Sequence, residues 1–169
     1  PRPQAASADV QRAIDVLRKA ERPLVIIGKG AAYSRAENEV RQFVEATGIP
    51  FLTSPMRKGV IDDEHALSVM PARGLALQDA DVVVLLGARL NWIMHFGLSP
   101  RFAEDVKTIQ LDIHAEEIGR NVPAEVGLVG DIKAVVAQLN EALEADPFTY
   151  PKDTPWWAAL NEKVGENKT

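Results

Sequence analysis

Asp81-Val82-Val83-Val84-Leu85-Leu86-Gly87 sets five consecutive aliphatic side chains between an acid and a glycine. A strand with one face in water alternates apolar and polar residues. A strand with no polar position is covered on both faces, as the strands of parallel sheets are. Leu24-Val25-Ile26-Ile27, ending at Gly28, repeats the pattern. Working outward, Ile49-Pro50-Phe51-Leu52, Thr108-Ile109-Gln110-Leu111-Asp112 and Glu125 to Val129 read as further strands.

The stretches between them follow the helical period. Ser7 can cap a helix whose core side carries Val10, Ala13, Ile14 and Leu17, and Glu21-Arg22-Pro23 stops it. A second helix is predicted over about Ser34 to Ala46, with Val40, Phe43 and Val44 on one side and Gly48 placed to end it. After an irregular connection over residues 53 to 70, Pro71 can open a helix carrying Leu75 and Leu77. The last clear helix runs from Asp131 to about Glu144, with Ile132, Val135, Val136, Leu139 and Leu143 facing the core. Strands alternating with helices predict an α/β fold, a parallel sheet covered by helices on both faces. Pro147, Pro151 and Pro155 mark a linker and Trp156-Trp157 begins a tail, so the division is a domain over 1–146 and a Pro-rich linker and tail over 147–169.

At 169 residues, 46% hydrophobic and 25% charged, the chain is long enough for one domain with a core. Nineteen basic against 24 acidic residues leave a net charge of -5, which gives no footprint for nucleic acid. No cysteine is present, which excludes a disulfide scaffold and a thiolate metal site. No apolar run approaches the roughly 20 residues of a membrane span, so no membrane partner is expected. The chain opens Pro1-Arg2-Pro3 without a signal-peptide pattern, and reads as an intracellular piece of something longer.

In an open parallel sheet, ligands bind beyond the carboxyl ends of the strands, near the point where strand order reverses. The residues that follow each strand are therefore the candidates. Gly28-Lys29-Gly30-Ala31-Ala32-Tyr33 follows the first strand. Two glycines one residue apart allow a tight turn and a close backbone approach, and a helix start offers free N–H groups to phosphate. Tyr33 stands where a dinucleotide fingerprint has its third glycine, and no Walker sequence is present, so an ordinary strand-to-helix turn is the competing reading. Gly87-Ala88-Arg89-Leu90-Asn91-Trp92 follows the Val82–Leu86 run. Arg89 offers a fork of donors suited to phosphate, or is a surface arginine paired with a carboxylate. Asp112, in Asp112-Ile113-His114, can accept from both ribose hydroxyls or can cap the turn over Ala115 to Ile118. Asp131 has the same two readings, the cap being favoured.

Little else points to chemistry. His65, His95 and His114 lack metal-ligand spacing, Asp62-Asp63-Glu64 reads as a solvated loop, and Ser99 is not in a nucleophile elbow. Asn167-Lys168-Thr169 matches a glycosylation sequon at a chain end and carries no weight. No catalytic or metal-ligating set is predicted; the sequence offers a place to hold a nucleotide and no machinery to react with one.

Ile27-Gly28-Lys29-Gly30-Ala31-Ala32-Tyr33, Gly87-Ala88-Arg89-Leu90-Asn91-Trp92 and Ile109-Gln110-Leu111-Asp112-Ile113 resemble the central domain of oxalyl-CoA decarboxylases and 2-hydroxyacyl-CoA lyases. The resemblance covers essentially the whole chain. His95 to Phe102 and Trp156-Trp157 look more like the lyase. It implies a Rossmann-like six-stranded parallel sheet with helices on both faces. It also implies a homo-oligomeric parent whose flanking domains, outside this chain, hold thiamine diphosphate and magnesium; Gly130-Asp131-Ile132 is not the diphosphate motif. The parent would act on a CoA thioester, cleaving a 2-hydroxyacyl-CoA into formyl-CoA and an aldehyde, in the peroxisome if eukaryotic and the cytoplasm if bacterial. The central domain would bind ADP or the ADP moiety of CoA, with Gly28, Lys29, Gly30, Arg89, Asp112, Ile113 and Asp131 as the site.

Overall fold

A computed structural model describes residues 2–54, 60–62, 64–89, 102–103, 105–120 and 123–167. Asp63, Leu90-Asn91-Trp92, His95 through Arg101 and Lys168-Thr169, all named above, lie outside the described residues.

The elements run α1 (Ser7–Arg18), β1 (Pro23–Ile27), α2 (Lys29–Tyr33), α3 (Glu37–Thr47), β2 (Phe51–Thr53), a 3-10 turn (Met70–Ala72), α4 (Arg73–Asp79), β3 (Val82–Leu86), β4 (Lys107–Asp112), a second 3-10 turn (Ala115–Glu117), β5 (Ala124–Val129), α5 (Ile132–Ala145) and α6 (Pro155–Asn167). All strand pairs are parallel, in the order β2-β1-β3-β4-β5. Every residue of β1 and β3 is buried, which accounts for their unbroken apolar runs. Edge strand β5 alternates instead, burying Val126 and Leu128.

Helix α5 packs against both α1 and α3, while α4 packs with α6. The chain moves from β1 to β2 in one direction along the sheet and from β2 to β3 in the other. Right-handed crossovers therefore put α3 and α4 on opposite faces. The Asp81 carboxylate accepts the backbone N–H groups of Glu21 (2.9 Å) and Arg22 (2.7 Å), tying the start of β3 to the start of β1.

The sheet has five strands among the described residues, where the resemblance implies six. Beyond β2 the chain meets the edge at one point. Phe51 N–H donates to Leu67 O and Val69 N–H donates to Phe51 O, both at 3.0 Å, a single parallel bridge opposite Ser68. The 3-10 turn with Pro71 in its first positions then takes the chain off the edge before a ladder forms. A strand at that bridge would complete the order 3-2-1-4-5-6 of the Rossmann fold.

Three boundaries differ from the sequence reading. Ser7 is the first residue of α1, and Ala6 stands at the cap without a side-chain hydrogen bond. The helix predicted from Ser34 begins at Glu37 as α3, and a short helix the sequence reading did not predict, α2, precedes it and ends at Tyr33, with Arg35 between them at a left-handed φ of 58°. Pro71 opens the 3-10 turn, and α4 follows it. Residues 147–154 run past the end of α3 and the start of β1, and α6 packs on the first 3-10 turn and α4. Tyr150 O–H donates to Glu21 O (2.5 Å), Trp156 Nε1–H donates to Pro23 O (2.8 Å), and Trp156, Trp157 and Leu160 join the core.

Candidate functional site

Strand order reverses between β1 and β3, so the chain leaves their carboxyl ends in opposite directions and opens a crevice there. Gly28 follows β1 and Gly87 follows β3. The two turns lie on one edge and interlock: Gly28 N–H donates to Leu86 O (3.0 Å) and Gly30 N–H to Gly87 O (3.1 Å). A Cβ on Gly28 would stand 2.4 Å from Ala88 Cα, and one on Gly87, at φ +63°, 2.9 Å from Gly30 Cα. The close approach that these glycines permit is therefore between the two turns. With Gly30 N–H committed to Gly87, the backbone donor left at the turn is Lys29 N–H, which has no partner among the described residues.

Above the turns lies a cavity of about 610 Å³. Lys29, Gly30, Tyr33 and Ser34 form its wall beside β1, and Ser54 reaches it from the end of β2. Gly87 and Arg89 contribute from β3, Asp112, Ile113 and His114 from β4, and Asp131 and Ile132 from the start of α5. The structure thus brings Lys29, Gly30, Arg89, Asp112, Ile113 and Asp131 to one cavity, with Gly28 packed against the turn that follows β3.

Their local roles differ. Arg89 is half exposed, its Nε 4.0 Å from Asp112 Oδ2 and 3.8 Å from Glu117 Oε2. It therefore faces the cavity while sharing two carboxylates at the limit of ion pairing, where an exposed pair contributes little. Asp112 is buried, and its Oδ1 accepts His114 N–H at 2.9 Å. That bond shapes the turn after β4, and Oδ2 is left toward Arg89. Asp131 caps α5: Oδ2 accepts Ala134 N–H at 3.0 Å, and Arg2 Nη1 donates to both carboxylate oxygens at 3.0 and 3.1 Å.

Ser34, Ser54 and Ile132, which line the cavity, and Glu117 and Arg2, which pair with its side chains, are site-associated residues that strand-end reading missed. Glu117 is held by a turn that Gln110 pins, its Nε2 donating to Glu117 O (2.8 Å) and its Oε1 accepting Gly119 N–H (2.9 Å). Arg2 also donates to Ser34 O at 2.7 Å. Ser54 carried a signal, a hydroxyl directly after a strand, in a stretch read only as an irregular connection. Tyr33 and Ile113, two of the most exposed large apolar side chains, stand at the cavity rim.

Among the described residues no group of three His, Asp or Glu side chains is placed to hold a metal. The Asp131 carboxylate is already taken by a helix start and an arginine. These residues do not fit a magnesium–diphosphate centre. No helix among the described residues is long and apolar enough to cross a membrane.

The model of the thiamine pyrophosphate enzyme central domain matches residues 10–139. 2-Hydroxyacyl-CoA lyase 1 of Mus musculus is 54% identical over 164 residues, covering 97% of this chain and 28% of the mouse protein. The protein of the same name from Homo sapiens is 52% identical over the same shares. Oxalyl-CoA decarboxylase of Escherichia coli K12 is 49% identical over 158 residues, covering 94% of this chain and 28% of that enzyme. The chain thus spans between a quarter and a third of the length of these curated relatives. With the sheet, the crevice and the match over residues 10–139 in agreement, the chain belongs to the family of thiamine pyrophosphate enzyme central domains.

Proposed function

We propose that the chain is the central domain of a thiamine-diphosphate-dependent 2-hydroxyacyl-CoA lyase and that its cavity holds ADP or the ADP end of CoA. The observation that carries the binding reading is the convergence of Lys29, Arg89 and the buried Asp112 on one cavity at the reversal of strand order. A nucleoside diphosphate presents a ribose diol and an anionic tail. Asp112 accepts hydrogen bonds from the diol, and the cations of Lys29 and Arg89 receive the phosphates. Tyr33, Ile113 and Ile132 give the purine apolar surface at the rim.

Identity to the mouse and human lyases supports the lyase reading of the parent, which would cleave a 2-hydroxyacyl-CoA into formyl-CoA and an aldehyde one carbon shorter. Oxalyl-CoA decarboxylation is the second reading, favoured by 49% identity to the E. coli enzyme. Thiamine diphosphate, which supplies the electron sink for carbon–carbon cleavage, and its magnesium would be held by other parts of the parent. This chain alone is expected to bind nucleotide without turnover. Calorimetric titration of the chain with ADP and with CoA should show saturable binding, and assays of the full-length parent should show 2-hydroxyacyl-CoA cleavage exceeding oxalyl-CoA decarboxylation. No binding of either ligand at millimolar concentration would leave the domain a structural one, and the opposite substrate preference would establish the decarboxylase.

A further inference from the structure

Ahead of α1, residues 2–5 form a strap across the turn between β5 and α5. Pro3 O accepts Asp131 N–H at 2.9 Å. Ala5 is clasped by the Gln138 side chain, its N–H donating to Oε1 and its carbonyl accepting from Nε2, both at 3.0 Å. The approach is close: a Cβ on Gly130 would stand 3.0 Å from Pro3 O. The strap delivers Arg2, whose Nη1 donates to Ser34 O at 2.7 Å and to the two Asp131 carboxylate oxygens at 3.0 and 3.1 Å. Ser34 and Asp131 both line the cavity, one at the end of α2 and the other at the start of α5, and Arg2 joins them. All of these Arg2 contacts use one nitrogen.

The charge balance of the cavity gives that contact a consequence for binding. Besides His114, the titratable side chains that line it with a charge at neutral pH are Lys29 and Arg89 against Asp112 and Asp131, and these cancel. Glu117, 3.8 Å from Arg89, is offset in turn by Arg120 at 3.3 Å. A cavity with a neutral lining gives an anionic ligand no net attraction. The Asp131 side chain is only 10% exposed, so little water screens its repulsion of an anion. We propose that Arg2 is a specificity-determining residue that acts through Asp131. It masks that carboxylate, leaves the cavity with a net positive charge, and so makes it selective for an anionic ligand over a neutral one of the same shape. This rests on the nucleotide reading above and adds the residue that suits the cavity to a phosphorylated ligand. Arg2 itself is half exposed, so the ion pair contributes little to folding. Its effect falls on the ligand.

The test is calorimetric titration with ADP and with adenosine, its uncharged counterpart, at low and at high salt. Arg2→Ala should weaken ADP by about fivefold at low salt, the order of effect of one uncompensated charge near a partly solvated anion. Added salt should shrink that loss, and adenosine affinity should be unchanged. Arg2→Lys should bind ADP like wild type, because an ammonium brings the same charge to the same acceptors. In an Asp131→Asn background, which keeps a side chain able to cap α5, Arg2→Ala should cause no further loss. The Pro3 and Gln138 bonds do not use the Arg2 side chain, so the strap stays docked in Arg2→Ala, and slow exchange of the Ala5 and Asp131 amides checks this. If Arg2→Ala binds ADP as well as wild type, loses ADP and adenosine equally, or loses as much in the Asp131→Asn background, charge masking is wrong and the nucleotide reading stands. Wild type that does not bind ADP would overturn both.

Discussion

Arg89 and Asp112 stand 4.0 Å apart at adjacent strand ends, and their pairing shows why single residues were only partly readable. Both follow buried runs, so their place at the carboxyl edge was legible from the strand alone. Their partners were not: Glu117 reaches Arg89 through a turn held by Gln110, and Arg2 reaches Asp131 across 129 residues of chain. Gly28 and Gly30 lie in the turn after β1, but their closest neighbours are the Gly87 and Ala88 backbone, a contact between turns 57 to 60 residues apart that no local pattern encodes. For binding, Arg89→Ala should cost about 1.5–3 kcal/mol of ADP affinity, the range for a hydrogen bond to a charged group. Asp112→Ala should weaken ADP more than a 2′,3′-dideoxy analogue, because only the diol uses that carboxylate. Calorimetry of folded variants checks both; equal losses for the two nucleotides would remove Asp112 from ribose recognition.

Elements were most legible where burial is total. β1 and β3 lie inside the sheet and show it as uninterrupted aliphatic runs, whereas the sheet edges were harder. The bridge at Ser68 has no run to mark it, and the split between α2 and α3 depends on one left-handed residue, Arg35, for which the sequence has no glycine to give warning. The tail was read as linker because of its prolines. Its packing comes from Tyr150 and Trp156, whose partners lie near β1 and α3, and from α6 against the first 3-10 turn. Tyr150 yields a prediction at this scale. Burial, the main cause, pushes its phenol above the ordinary value of 10.0. The folded state therefore favours the neutral phenol. The contribution of this contact is fully present below pH 10.0 and is lost as pH rises through the higher folded value. Thermal melting of the chain should show an alkaline fall in stability above that pH, and Tyr150→Phe should lack this component while costing about 1 kcal/mol at neutral pH. An identical alkaline profile for both proteins would mean that another group controls it.

At the scale of the whole molecule, one topological fact organises the rest. Strand order reverses between β1 and β3, and the two glycine turns meet there and carry Lys29 and Arg89 to a cavity shared with Asp112. The tail with Tyr150 and Trp156 is tied to the opposite edge, at the start of β1 and the end of α3. Tyr150 and Trp156 thus stand a strand's length from the cavity, while α6 runs on to the 3-10 turn at Met70–Ala72. The alternation of strands and helices made the parallel sheet legible in the sequence. The cavity was legible only as a set of strand ends, because its volume depends on how the turns pack. Amide hydrogen exchange of the chain with and without saturating ADP tests the central claim most directly. The account predicts slowed exchange in residues 28–34, 112–114 and 131–132 and no change in residues 147–160. Protection confined to the tail edge, or the same exchange with and without ADP, would contradict it.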